Sequence, residues 1–385
     1  MVKKTSYSII SVTLIILLMV SLFPNFKYTA VNTSTPINGN VKLKNSIYSF
    51  FDSFKHINQK NEDNSSEKRE LVYFGGDIIG IKIYCDGVII VATDDVETPD
   101  GKVNPAKTAG LKVGDIIKRI NNTKVYSNND VSEIIKNSDE NEIIFDIVRN
   151  EKEQKISFFS AKDISGVYRA GLWVRDSSAG IGTVSFYTED GYFGSLGHGI
   201  CDIDTGEVLP LGKGTTTEAT LTGVYKGSNG CAGELCGVLD SKNNGRILEN
   251  GATGIYGVTD NFIPDETRKI QLAFCDEIKK GSAYIISTVE EGCTEKYNVE
   301  ITNINFNSQE NKNMTVKVTD SGLLEKTGGI VQGMSGSPII QNGKLIGAVT
   351  HVLVDDPTTG YAIFAENMLE TLESVASSEK LRVAS

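Results

Sequence analysis

The residue pattern most suggestive of chemistry is a single serine set among small residues. Residues 333–338 read GMSGSP, which places Ser335 between Gly333 and Gly336. Glycines allow a tight backbone turn that exposes a serine hydroxyl and points neighbouring amide N–H groups into the same space. The pattern predicts that Ser335 is a nucleophile and that the amides of Gly333 and Ser335 form an oxyanion hole.

A serine hydroxyl becomes a good nucleophile only when a base removes its proton, and histidine is a common base. The chain contains three histidines. His56 lies in a polar stretch and is set aside, whereas His198 lies among small residues in the stretch 194–200, GSLGHGI. His351 has apolar neighbours, and strand alternation would point it away from the side of Val352. We therefore predict that His198 is the base and that His351 is a packed or hydrogen-bonded structural histidine.

The acid that would orient the histidine is not determined by the residues alone. A chymotrypsin-like double barrel has the chain order His, Asp, Ser, with His and Asp both supplied by the first barrel. Asp240 and Asp260 fit that placement better than Asp320, which lies only fifteen residues before Ser335. The other aspartates between His198 and Ser335 are Asp202, Asp204, Asp265 and Asp276.

The elements around Ser335 read as β-structure. Residues 338–341 and 344–349 are apolar runs joined by Asn-Gly, a strong hairpin signal. Short runs of Val, Ile, Thr and Tyr between Gly, Asn and Asp continue through about 165–375, and a helix is indicated only over 365–374. This pattern predicts a serine peptidase domain at 165–385 with a closed or double β-barrel.

A second domain is predicted at 71–160. Residues 104–121 contain the run A-G-L-x-x-G-D-x-I-x-x-I-N, which resembles a PDZ domain. The resemblance implies that a peptide adds as a strand along Ile81 to Ile83, with any free C-terminal carboxylate held by backbone N–H groups near Ile79, Gly80 and Ile81. The expected ligand is a substrate, a partner or a segment of this same chain.

The amino-terminal region is expected to anchor the chain in a membrane. Lys3 and Lys4 precede an uncharged apolar run at 7–23, and positive charge before such a run directs the rest of the chain outward. Only one of the two small residues of a signal-peptidase site is present, so an uncleaved anchor at 1–24 is favoured over a cleaved signal peptide. Residues 25–70 are rich in Asn, Ser, Lys and Glu and are predicted to be a linker.

Composition limits the classes of partner. With 385 residues, 39% hydrophobic residues and a mean hydropathy of −0.14, the chain is of globular type and long enough for two or three units. A net charge of −11 argues against nucleic acid, because binding to phosphates needs a basic surface. No pair of the six cysteines has C-x-x-C spacing, so these thiols are not expected to bind a metal; they are at positions 85, 201, 231, 236, 275 and 293. No cofactor is expected.

These features occur together in one known family. An amino-terminal anchor, one PDZ domain, Gly-His-Gly at 197–199 and GMSGSP with its hairpin resemble the stage IV sporulation protein B serine peptidases, a family of the chymotrypsin-like clan. The likeness covers about 70–375. It implies that His198 is the base, Ser335 the nucleophile and Asp320 the third member of the triad.

The resemblance also implies a narrow role. Such an enzyme is exported into the space between the forespore and mother-cell membranes. There it cleaves a membrane complex that restrains an intramembrane metalloprotease, and pro-sigma-K is then processed. Self-cleavage is expected in the linker at 25–70. The alternatives are a non-catalytic, membrane-tethered PDZ scaffold and an HtrA-type envelope quality-control protease, in which PDZ usually follows the protease and the loop reads GNSGGP.

Overall fold

A computed structural model of the chain describes residues 70–260, 262–308 and 311–384. The predicted anchor at 7–23, and all but the last residue of the predicted linker at 25–70, lie outside these ranges. Within them, no helix combines the length and the apolar character that a membrane crossing requires.

The described chain consists mainly of β-strands, as predicted. In chain order the strands are β1 (Leu71–Phe74), β2 (Ile78–Thr93), β3 (Val96–Thr98), β4 (Gly101–Val103), β5 (Ile116–Ile120), β6 (Thr123–Lys124), β7 (Glu142–Arg149), β8 (Lys152–Phe159), β9 (Ala161–Lys162), β10 (Tyr168–Arg169), β11 (Leu172–Tyr187), β12 (Tyr192–Ser195), β13 (Leu211–Tyr225), β14 (Glu234–Gly251), β15 (Gly254–Thr259), β16 (Lys269–Leu272), β17 (Gly281–Glu290), β18 (Cys293–Ile304), β19 (Met314–Val318), β20 (Pro338–Gln341), β21 (Lys344–Leu353) and β22 (Asp356–Phe364). The α-helices are α1 (Pro105–Thr108), α2 (Asn128–Lys136), α3 (Ser321–Thr327) and α4 (Ala365–Ala384), and two 3₁₀ turns span Glu266–Arg268 and Cys275–Glu277.

The first barrel is a closed ring of six antiparallel strands. Its pairings run from β2 to β11, β12, β15, β14, β13 and back to β2. Closure matters because a ring leaves no strand edge without a partner. The interior is filled by apolar side chains from these strands, among them Ile81, Ile83, Phe193 and Ile255.

The second barrel is a ring of the same kind. Its pairings run from β17 to β18, β19, β22, β21, β20 and back to β17. The predicted hairpin is present as β20 and β21, and the two turn residues have the positive φ angles of a tight hairpin, 51° at Asn342 and 75° at Gly343. The predicted double-barrel architecture is therefore visible in the strand pairings.

Helix α4 closes the junction between the barrels. Met368 and Leu372 on this helix are buried together with Phe186 of the first barrel and Ile340 of the second. The sequence predicted a helix over 365–374, and the structure continues it to residue 384. A shared apolar core of this kind holds the two barrels in one arrangement.

The unit that the sequence predicts to be a PDZ domain, called the PDZ unit below, is inserted into the first barrel. Strands β2 and β11 are each sixteen residues long, and each has one half in the barrel and one half outside it. The barrel halves, residues 78–84 of β2 and 177–183 of β11, pair with each other. The other halves, 88–93 and 172–175, belong to the PDZ unit, where Val88 pairs with Ile117 of β5. The predicted boundaries at 71–160 and 165–385 are therefore corrected, because residues 71–85 form strands of the peptidase. Gly87, with φ of +104°, lets β2 continue from the barrel into the PDZ unit.

The run that predicted the PDZ unit has a structural explanation. Asp115 is 1% exposed, and its carboxylate accepts two hydrogen bonds of 2.6 Å from Arg149 and one of 2.8 Å from the amide of Lys112. Arg149 also donates to the carbonyl of Gly110. A buried carboxylate needs such partners. Asp115 therefore holds the turn after α1 against strand β7 through its ion pair with Arg149.

Candidate active site

The nucleophile loop, residues 333–338, is a tight turn between α3 and β20. Gly333 and Gly336 have φ of +94° and +96°, a region that glycine adopts without strain. A Cβ on Gly336 would lie 1.9 Å from the carbonyl oxygen of Thr183, so no larger residue fits there. The hydroxyl of Ser337 donates back to the backbone of the loop over 2.7 Å. The small residues seen in the sequence are therefore required by the turn.

Thr183 on β11 ties this loop to the first barrel. Its amide donates to the carbonyl of Ser335 over 3.1 Å, and its hydroxyl donates to the carbonyl of Gly333 over 2.8 Å. The nucleophile comes from the second barrel, so these two bonds fix its position relative to the first. The sequence carried no signal that singled out Thr183.

The predicted oxyanion donors are available. Among the described groups, neither the amide of Gly333 nor that of Ser335 donates a hydrogen bond. Both residues line the same cavity. Unoccupied amides facing a cavity are what a developing oxyanion requires, because the donors must be in place before the charge forms.

The hydroxyl of Ser335 is held by a backbone carbonyl. Its Oγ donates to the carbonyl oxygen of Thr350 on β21 over 2.6 Å. Within the described part of the chain, no hydrogen bond joins Ser335 to His198. Catalytic hydrogen bonds are often absent or long before substrate binds. The hydroxyl must leave Thr350 before it can pass its proton to a base.

His198 lies in the turn that follows β12. Leu196 and Gly197 both have φ of +67°, so the chain reverses just before the histidine. The Nδ1 atom of His198 lies 2.8 Å from the carbonyl oxygen of Gly199. A carbonyl oxygen only accepts, so this hydrogen bond places the proton on Nδ1 and leaves Nε2 as the basic nitrogen.

His351 lies beside His198, which the sequence analysis did not anticipate. The two ring centroids are 4.6 Å apart and the rings are inclined by 33°. The pairing register of β21 with β22 shifts between Val349 and Val352, which breaks the strand alternation. His351 and Val352 consequently both line the active-site cavity, so the prediction of a structural histidine pointing away from Val352 is corrected.

Both imidazoles are neutral at neutral pH. Burial lowers the pKa of His198 from its ordinary 6.5, and the hydrogen bond with Gly199 offsets part of this effect. Loss of hydration in the cavity, with smaller contributions from the neighbouring His198 and Lys312, lowers the pKa of His351 to about 4. A neutral His198 is in the form that a general base needs.

One cavity of about 1150 Å³ contains Ser335, His198, His351 and Gly333. None of the described residues that line it is an aspartate or a glutamate. Over the same described ranges, no cluster of three or more His, Cys, Asp and Glu could hold a metal ion. The hydroxyl of Ser335, the two imidazoles and the backbone amides are thus candidates for the chemistry, and Cys201, Lys312 and Tyr361 also line the cavity.

The structure does not place Asp320 at this cavity. Asp320 is the N-cap of α3, where its carboxylate accepts hydrogen bonds from the amides of Leu323 (3.0 Å) and Asn298 (3.2 Å). The alternative acids, Asp240 and Asp260, are not among the residues lining the cavity either. Of the three predicted triad residues, only His198 and Ser335 are brought together.

The predicted PDZ ligand site at Ile79, Gly80, Ile81 and Ile83 is wrong. These residues belong to the barrel half of β2, and Ile81 pairs with β11 on one side and with β13 on the other. The side chains of Ile81 and Ile83 are 1% and 0% exposed. A peptide adds only to a strand with an unpaired edge, so no peptide can bind along this strand.

A groove with a suitable strand edge lies elsewhere on the PDZ unit. In the PDZ half of β11, residues 172–175 pair with β2, and no described strand pairs with their other edge. A cavity of about 460 Å³ separates this edge from helix α2, with Leu172 and Val174 on one side and Val131 and Ile135 on the other. Trp173 also lines the groove and is 62% exposed.

The chain is similar to one family model and to several solved structures. A family model described as SpoIVB peptidase S55 matches residues 166–369. Among solved structures, the active form of the Rv3671c protease from M. tuberculosis is 17% identical and covers 51% of this chain and 74% of its own, with a TM-score of 0.31. The HtrA-type protease AlgW with a tripeptide is 13% identical, covering 51% of this chain and 56% of its own, with a TM-score of 0.32.

The PDZ domain of an SdrC-like protein from Listeria monocytogenes is 18% identical and covers 23% of this chain and 87% of its own, with a TM-score of 0.19. No curated protein matches the chain. The family model spans more than half of the 385 residues and includes His198, His351 and the whole nucleophile loop. The chain belongs to the SpoIVB peptidase S55 family and is a serine peptidase.

Proposed function

We propose that this peptidase is a sporulation endopeptidase that cleaves a membrane-associated partner and thereby triggers intramembrane processing of pro-sigma-K. Membership of the SpoIVB peptidase S55 family supports the proposed biological role. The supporting observation in the molecule is a single cavity that contains Ser335, His198 and two amides without acceptors. A scaffold that had lost catalysis would have no need to keep this arrangement.

The proposed mechanism uses only groups of this chain. The Oγ of Ser335 leaves the carbonyl of Thr350 and attacks the peptide carbonyl, while Nε2 of His198 takes its proton. The amides of Gly333 and Ser335 stabilise the oxyanion, each such donor contributing about 10²–10³ in rate. His198 then passes the proton to the leaving amine, and water repeats the cycle on the acyl-enzyme.

The proposed setting is the space between the forespore and mother-cell membranes, with the chain anchored through residues 7–23. The proposed direct partner is the membrane complex that restrains an intramembrane metalloprotease. Self-cleavage in the stretch 25–70 belongs to the same proposal. The support for these points is family membership together with the apolar amino-terminal run of the sequence.

Substitution of Ser335 by alanine tests the catalytic part. We expect S335A to lose self-cleavage and to cleave a reconstituted partner about 10⁶-fold more slowly, because the nucleophile is absent. The exposed Ser378 of α4 provides a matched control, since the hydroxyl that S378A removes bonds, among the described residues, only to a carbonyl of its own helix. Cleavage by S335A at the rate of the wild-type enzyme would contradict the proposal. Broad cleavage of unfolded proteins by the wild type would instead favour the quality-control alternative.

We propose that the PDZ unit binds an extended peptide along the free edge of β11, beside α2, and that this peptide comes from a substrate or from this same chain. Trp173 is the only tryptophan of the chain and lines the groove. Peptides from the candidate partner, or from residues 25–69, should therefore change the Trp173 emission in a saturable manner. The W173F variant provides the control. A saturable peptide effect on activity with an unchanged Trp173 signal would place the ligand elsewhere.

A further inference from the structure

The orientation of His198 depends on a backbone carbonyl. In a Ser-His-Asp triad, a carboxylate accepts the Nδ1 proton of the histidine and so fixes its tautomer and direction. Here the acceptor within reach is the carbonyl of Gly199, 2.8 Å from Nδ1, and none of the cavity's described lining residues is acidic. A carbonyl orients the ring only if the turn that carries it is itself held in place.

Asn250 holds that turn through three hydrogen bonds. Its Oδ1 accepts from the amide of Ile200 over 2.7 Å, and its Nδ2 donates to the carbonyl of Ile200 over 3.0 Å and to that of Leu209 over 2.9 Å. Both backbone groups of Ile200, the residue that follows Gly199, are thus bonded to one carboxamide. Few side chains could replace it, because the site needs an acceptor and two donors in one plane.

The packing around the turn is equally restrictive. A Cβ added to Gly199 would lie 2.8 Å from the carbonyl oxygen of Gly251 and 3.4 Å from Oδ1 of Asn250. Asn250 lies near the end of β14, a strand of the first barrel, and falls between His198 and Ser335 in the chain. It thus occupies the place in the chain order that a chymotrypsin-like barrel gives to the triad acid.

We propose that Asn250 is a positioning residue for the catalytic base. By fixing Ile200 it fixes the Gly199 carbonyl, which keeps the proton of His198 on Nδ1 and directs Nε2 towards the cavity. This inference rests on the proposed role of His198, but it concerns a property of the ring that is measurable without turnover. Asn250 does not touch the reacting atoms.

The test uses the full chain labelled with ¹⁵N-histidine. Since there are three histidines, three His-to-Gln variants assign the ring signals. We expect the Nδ1–H tautomer for His198 in the wild type and a mixture of tautomers in N250A. We also expect kcat to fall about 10²-fold with little change in KM, because a small misplacement of a catalytic group has effects of this size.

Two further variants separate positioning from stability. N250D has the same shape and keeps the acceptor but loses both donors, so it should shift the tautomer even if N250A does not fold. N244A, on the same strand, removes the hydrogen bond between Asn244 and Thr216 without touching the histidine turn, and it should leave the tautomer and kcat unchanged. A wild-type tautomer in both Asn250 variants, or the same loss of kcat in N244A, would overturn the proposal. Inactivity of the wild type would refute the proposed function and leave the tautomer test intact.

Discussion

At the scale of residues, the active site contains two adjacent neutral imidazoles and a serine whose hydroxyl is bonded to a carbonyl. The sequence singled out Ser335 and His198 because small residues surround both. The sequence predicted a structural role for His351, because alternation along an ideal strand would point its side chain away from the side of Val352. A shift in strand register, which depends on the partner strand β22, brings His351 to the cavity instead.

The lowered pKa of His198 predicts the pH dependence of the reaction. The base must be neutral, and a folded-state pKa below 6.5 keeps it neutral to lower pH than an ordinary histidine. We therefore expect kcat/KM to stay level below pH 6.5 and to fall only as the pH drops through the lowered pKa. The measurement is kcat/KM between pH 4 and 8 in the wild type.

H351Q identifies which histidine causes the fall of kcat/KM at low pH, called the acidic limb below. His351, with a pKa of about 4, should contribute no ionisation near the observed midpoint, so H351Q should keep the acidic limb and most of the activity. H198Q should lose about 10⁶ in kcat, as expected for a missing base. A midpoint near pH 4 that vanishes in H351Q would make His351 the base.

At the scale of elements, the two ends of helix α3 determine how the chain enters the nucleophile loop. Helix α3 is seven residues long and begins at the cap provided by Asp320. It ends at Gly328, whose φ of +76° turns the chain towards the nucleophile loop. Asp320 therefore influences the loop through the helix that it caps.

Two substitutions of Asp320 separate a cap from a triad acid. D320A should lower the free energy of unfolding by about 1 kcal/mol, the usual effect of losing an N-cap. D320N should cap nearly as well, losing only the contact with Asn298, and should keep kcat near the wild-type value. A triad acid behaves differently, since Asp to Asn costs about 10⁴ in kcat. Chemical denaturation and kcat of both variants provide the measurement, and a 10⁴-fold loss in D320N would restore Asp320 to the triad.

At the scale of the whole molecule, β11 connects the PDZ unit with both catalytic loops. Its first residues form the free edge of the groove. Arg175 then pairs with Asp202 in the segment that follows His198, at 2.5 Å, and Thr183 binds the nucleophile loop. Asp176 accepts a hydrogen bond from the amide of Asn128 at the start of α2. One continuous strand thus contacts the groove helix, the histidine segment and the serine loop.

The insertion predicts which shortened chains fold. A chain of residues 165–385 lacks β1 and β2, so β11 and β13 lose a partner strand and three buried isoleucines, Ile79, Ile81 and Ile83, are absent. At about 1.5–3 kcal/mol for each buried side chain, this loss is comparable with the whole stability of a typical domain. We expect this chain to be unfolded by circular dichroism, whereas residues 70–385 should fold.

An internal deletion gives the complementary result. Ile89 and Arg175 are cross-strand neighbours, so an Asn-Gly turn joining them should replace the PDZ unit with a hairpin and leave both barrels intact. Cooperative unfolding of this shortened chain would support the insertion. A folded chain of 165–385, or an unfolded hairpin variant, would count against it.

The sequence by itself determined the features that depend on local chemistry. The Asn-Gly hairpin, the glycines of the nucleophile loop and the mainly β character follow from backbone preferences and short-range patterns, and the structure contains all of them. The Gly-Asp run of the PDZ unit also has a local explanation, a turn around a buried carboxylate. Ser335 and His198 could be singled out for the same reason.

Only the tertiary structure decided the features that depend on distant partners. Residues 78–83 would show the same apolar alternation in a peptide-binding strand as in a barrel strand. Their pairing with β11 on one side and β13 on the other makes them part of the barrel. Asp320 is a helix cap because Leu323 and Asn298 point their amides at it. Asn250 reaches Ile200 fifty residues away because barrel closure brings β14 beside the histidine turn. Such contacts join residues far apart in the chain, and no short-range pattern encodes them.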